Sequence, residues 1–141
     1  MAEPHDRLAR LGEMSGYKVA DGDPDPRGWD VVTHDGQRVG RVDDLIVDPQ
    51  EERAQYLDVR LEQGSDRHVL IPTEAVHLGK QERDRRQVAI GVSPEYLAGV
   101  TPYRGLPLTP DQQSEYRSCP TPGFPYEKQD TRIHRGAPRH D

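Results

Sequence analysis

"AQYLDVRL", residues 54–61, is the stretch on which the fold turns. Leu57, Val59 and Leu61 fall on one side of an extended chain and Tyr56, Asp58 and Arg60 on the other, the period-two alternation of a strand with one buried face. Working outward, "DPQEER" before it makes a polar turn in which Pro49 fixes φ and cannot donate to a ladder. Upstream lie "LIV", "RVGRV", the tight turn "HDGQ" with Asp35-Gly36 supplying positive φ, and the first strand "WDVVT". Downstream, "EQGSD" turns the chain into "RHVLIP"; "AVHL", the charged "GKQERDRR" and "QVAIGV" follow. Short β-branched runs spaced by turn chemistry at intervals of about 8–12 residues predict an all-β barrel or sandwich. Ser93 before Pro94 predicts a short closing helix over "SPEYLAG".

The core expected from this pattern is Trp29, Val31, Val39, Val42, Leu45, Val47, Leu57, Val59, Leu61, Val69, Ile71, Val76, Val88, Ile90 and Leu97. Hydrophobic residues are 32% of the 141, against a usual apolar share of about 45–50% that also counts glycine, so only part of the chain can build a core. Residues 1–18 form an N-terminal arm in which "HDRLARLGEM" can make a short helix with Leu8 and Leu11 on one face. Residues 104–141 hold six of the 13 prolines and show no sustained period, which predicts an extended or disordered tail.

A formal charge of −6 disfavours a nucleic-acid partner, because that affinity comes largely from Lys and Arg displacing counterions. No apolar run approaches the ~20 residues of a membrane-spanning helix, and "MAEPHDRL" has no apolar signal region, so a soluble, cytoplasmic chain is expected. Cys119 is the sole cysteine, which excludes an internal disulfide and fits a reducing compartment.

"VADGDPDPRG", residues 19–28, sets Asp21, Asp23 and Asp25 at alternate positions, like the start of a calcium loop. Pro26 stands where that loop needs glycine and Val32 where it needs glutamate, so the stretch reads as a proline-stiffened strap. The strap, then "DGQRVGRVDDLIVD", "AQYLDVRL", "RHVLIPTEAVHL" and "SPEYLAGVTPY", resembles the PRC-barrel family over about residues 19–103, in particular the cytoplasmic barrel of the photosynthetic reaction-centre H subunit. The resemblance implies a small, partly open β-barrel used as an assembly module without catalytic machinery. It also implies that Asp48 and Glu51 match acidic positions which, in H subunits, lie on the side where protons enter on their way to the secondary quinone. Lacking the membrane helix of H subunits, the sequence is expected to be a soluble stand-alone relative.

Six histidines are scattered without metal-site spacing; His68 and His77 flank one strand connection and can approach as a pH-sensitive pair. Asp43, Asp44, Asp48, Glu51 and Glu52 gather around one hairpin, where carboxylates either stay solvated or serve as a proton relay or docking acids. Lys80, Arg83, Arg85 and Arg86 form a basic loop that can dock an acidic partner. Cys119 lies between Ser118 and Pro120 with nothing to activate it, and there is no G-x-S-x-G elbow or phosphate-binding glycine loop. No catalytic residue, cofactor or metal is therefore expected. The reading is a non-enzymatic module that binds a protein partner, a second copy of itself first, with peripheral contact to a membrane complex. The alternatives are an accessory to photosynthetic or quinone-linked electron and proton transfer, and a ribosome-maturation or RNA-associated stress factor.

Overall fold

A long antiparallel hairpin, β4 (Arg38–Asp48) with β5 (Arg53–Leu61), carries the architecture in the computed structural model, which describes residues 8–14, 16–19, 25–33, 36–62, 67–81, 85–120 and 133–135. "RVGRV" and "LIV" are one strand of 11 residues. A shift of register between Val42 and Asp44 absorbs Asp43 as a bulge, so the ladder continues past the acidic pair. At the turn, the Asp48 carboxylate accepts from the Gln50 and Glu51 backbone N–H groups at 2.9 and 3.3 Å, while Glu52 takes φ 58°. A side-chain acceptor thus replaces the ladder where the chain reverses.

The register sorts side chains onto two faces. Val42 and Leu45 stand opposite Val59 and Leu57, and these stand opposite Val69 and Ile71 of β6 (His68–Pro72), forming the inner face. Gly40 sits opposite Leu61, and a Cβ there would clash with the Arg60 carbonyl oxygen, so close strand approach requires glycine. β3 (Asp30–Thr33) runs antiparallel to the start of β4 and parallel to β8 (Arg85–Ile90), which forms a hairpin with β7 (Val76–Gln81). The order is β6-β5-β4-β3-β8-β7, a sheet curled into a half-barrel. All fifteen expected core residues are buried.

Around the half-barrel the chain departs from expectation in two places. Among its described residues the N-terminal arm has no α-helix: β1 (Ala9–Arg10) pairs with Val47 and Ile46 of β4, and Leu11–Glu13 makes a 3₁₀ turn. β3 covers only the first residues of that edge of β4, so the arm satisfies backbone groups beyond it, whereas a helix this short would have little to sustain it. The tail read as extended or disordered from residue 104 contains helix α2 (Pro110–Arg117). Proline is no obstacle there, because Pro110 occupies the first helical position, and Thr109 and Gln112 close a reciprocal capping box. Buried Leu108 and Tyr116 anchor it. Farther on, β9 (Ile133–Arg135) pairs with β2 (Tyr17–Val19), and buried Ile133 donates its N–H to the Glu52 carbonyl at 2.9 Å.

The closing helix α1 (Pro94–Ala98) forms as the sequence predicts, with Ser93 Oγ accepting from Tyr96 N–H at 3.1 Å. Among the described residues no helix is long and apolar enough to cross a membrane.

Candidate functional site

The outer face of β4, β5 and β6 gathers the polar groups. Asp44 and Asp58 are direct cross-strand partners, and Asp58 is the diagonal neighbour of His68, whose own partner is Arg60. Asp58 is 1% exposed and its Oδ1 lies 2.7 Å from His68 Nδ1. Burial raises the Asp58 carboxyl pKa above the usual range; the hydrogen bond from His68 opposes this and the charge of Asp43 adds to it. Asp44 is differently served: its Oδ1 accepts from the N–H groups of Leu45 at 2.8 Å and Gly12 at 3.1 Å, and its Oδ2 meets Arg10 Nε at 3.3 Å. It fastens the arm to the barrel.

Tyr103 closes the cluster. Its N–H donates to the His68 carbonyl at 2.8 Å, laying the segment along the free edge of β6. Its ring is buried, its hydroxyl has no hydrogen-bond partner, and burial, followed by the charge of Asp58, pushes the phenol up to about 12. Oxygen or nitrogen atoms of Asp43, Asp58 and His68 lie within 4.8 Å of one another, the one such group of potential metal ligands among the described residues.

The acids singled out in the sequence divide between two places. Asp43 and Asp44 sit at the bulge; Asp48 and Glu51 sit at the β4–β5 turn, Asp48 buried as a turn acceptor and Glu51 exposed, accepting from Gln55 Nε2 at 3.2 Å. His68 is bonded to Asp58, while His77 stands on β7 opposite Ala89. Lys80 and Arg86 are register partners toward the tip of the β7–β8 hairpin, with Arg85 next to them; Arg83 lies outside the described residues, as do Asp21 and Asp23 of the strap. Asp58 and Tyr103 were not anticipated as site residues. The one signal for Asp58 was a carboxylate inside an otherwise strongly β-forming run.

A second feature lies at the mouth of the half-barrel. A groove of about 250 Å³ runs over Val39, Leu61 and Leu97, rimmed by Arg38, Glu62 and Arg67. Arg38 Nη1 pairs with Glu62 at 2.7 Å, and Arg67 Nη2 donates to the carbonyls of Ala98 and Val100 at 2.8 and 2.6 Å, tying α1 across the opening.

A curled six-strand path with one parallel pairing, an incomplete closure and a short helix at its mouth defines a small half-barrel module. The PRC-barrel domain model matches residues 18–90, just over half of the 141, and the chain belongs to that family.

Proposed function

We propose that this PRC-barrel chain is a non-enzymatic interaction module that binds a protein partner, a second copy of itself first, along the outer edge of β7. The observation that supports this is the incomplete ladder. Among the described strands β7 is hydrogen-bonded to β8 alone, and β6, at the other end of the order, has its edge taken by Tyr103. An edge strand of six residues is a template for an added strand, with backbone hydrogen bonds giving affinity. Size-exclusion chromatography with light scattering is expected to give a dimer whose population rises with concentration, and cross-linking should map to the β7–β8 hairpin. A monomer at high concentration, together with cross-linked pull-downs from the native cell that recover no partner, ends this reading.

A further inference from the structure

We infer that Asp43, Asp58 and His68 are the protein ligands of a divalent cation site of the zinc class, on the outer face of β4, β5 and β6. Three adjacent strands each contribute one ligand, and the ligand atoms already lie within 4.8 Å of one another. The bulge makes this possible: it leaves Asp43 without a cross-strand partner, between the Val42–Val59 and Asp44–Asp58 pairs and therefore beside Asp58. An ordinary aspartate–histidine hydrogen bond accounts for Asp58 and His68. It accounts neither for Asp43 crowding them nor for Tyr103.

Charge points the same way. Like charges directly opposite in a ladder are unfavourable, yet Asp44 faces Asp58 and Asp43 adjoins both. Asp44 is met by Arg10 and two backbone N–H groups, whereas buried Asp58 is hydrogen-bonded to His68. A divalent cation would add positive charge between Asp43 and Asp58. The independent observation is Tyr103, 7% exposed, whose N–H bonds to the His68 carbonyl and whose hydroxyl bonds to nothing. A buried hydroxyl without a partner is costly, and a water carried by the ion in its open position would give it one.

One imidazole and two carboxylates suit zinc or cobalt and disfavour magnesium and calcium, which prefer all-oxygen shells. On binding, the ion takes the place of the His68 Nδ1–Asp58 Oδ1 hydrogen bond, and the neutral imidazole that ligates through Nδ1 carries its hydrogen on Nε2.

The test is calorimetric titration of ZnCl₂ into the full chain after chelator treatment, beside Asp43→Asn and His68→Ala, with circular dichroism to confirm folding. One site is expected, weakened about tenfold or more in each folded variant, a loss of about 1.4 kcal/mol, and unmoved by equimolar calcium. Asp43 is exposed, so Asp43→Asn decides the matter should His68→Ala fail to fold. The absence of zinc binding, displacement by equimolar calcium, or less than tenfold weakening in either folded variant overturns the site; in the last case the zinc sits on histidines elsewhere in the chain.

Discussion

On the inner face of β4, β5 and β6, Leu45, Leu57, Val59, Val69 and Ile71 form apolar rows, whereas on the outer face Asp44, Asp58 and His68 share the surface with Ile46, Tyr56 and Leu70. Both faces are buried at their centre, as Tyr56, Leu57, Asp58 and Val59 show in succession along β5. The inner face is covered by the sheet's own curl. The outer face is covered by what lies outside the strands of the half-barrel, namely Leu11 from the arm, Tyr103, and Tyr116 from α2, whose ring meets Tyr56 edge-on at 6.3 Å. These covers are pinned by named polar contacts: Asp44 holds Gly12 and Arg10, Tyr116 donates its hydroxyl to the Thr101 carbonyl at 2.8 Å, and Glu115 accepts from the Thr101 N–H at 2.9 Å. Burial by apolar area needs no particular partner, while burial by pinned covers depends on a few specific bonds.

That contrast can be broken most forcefully from the inside. Leu57→Ala removes a side chain 1% exposed at the centre of the apolar rows and is expected to cost about 2–5 kcal/mol in urea unfolding, with every probe moving together. Asp44→Ala should cost less, about 1.5–3 kcal/mol, from lost hydrogen bonds to a charged acceptor. Its mark is local: the Gly12 amide should exchange faster than the global stability loss accounts for, since the arm has lost its fastening. An Asp44→Ala loss as large as that of Leu57→Ala, with no local signature, would show that arm and barrel are one cooperative core.

The same contrast explains what the sequence made legible. A strand buried on one face announces itself by alternation, and each core residue expected from that pattern is buried. Alternation also assigns Tyr56 and Asp58 to solvent, and there it fails, because the cover comes from residues 8–14 and 101–117, remote in sequence and nearly patternless. α2 did carry a signature in Thr109-Pro110 followed by Gln112, but the weight of prolines around it masked the cap. The Asp58–His68 bond depends on the β5–β6 register across a loop, which composition does not specify, and the bulge that brings Asp43 alongside is legible only from pairing.

A smaller effect sharpens the picture of the outer cover. Thr109→Ala deletes the hydroxyl that accepts from Gln112 N–H at 3.0 Å, worth about 1 kcal/mol. Eight residues do not hold a helix alone, so the loss should appear in the denaturation midpoint and in faster exchange of the α2 amides, with the β5 amides slowest throughout. Equal acceleration in β5 and α2 would mean that α2 opens only with the barrel.

The mildest probe leaves the fold unaltered and reads the cover chemically. Cys119 follows α2 and packs against the core cluster, and burial pushes its thiol from an ordinary 9.0 up to about 11. The thiolate is the reactive form, so two pH units cut its population near pH 8 by about a hundredfold. Alkylation of the native chain should therefore run about a hundredfold slower than that of the urea-unfolded chain at pH 8, rising tenfold per pH unit and levelling near pH 11. Because the folded thiol is the weaker acid, its contribution to stability is whole below pH 9 and is lost as pH climbs through about 11. Native-state alkylation as fast as in the unfolded chain would mean that α2 lifts from the outer face freely, and that Tyr116 covers Tyr56 only part of the time.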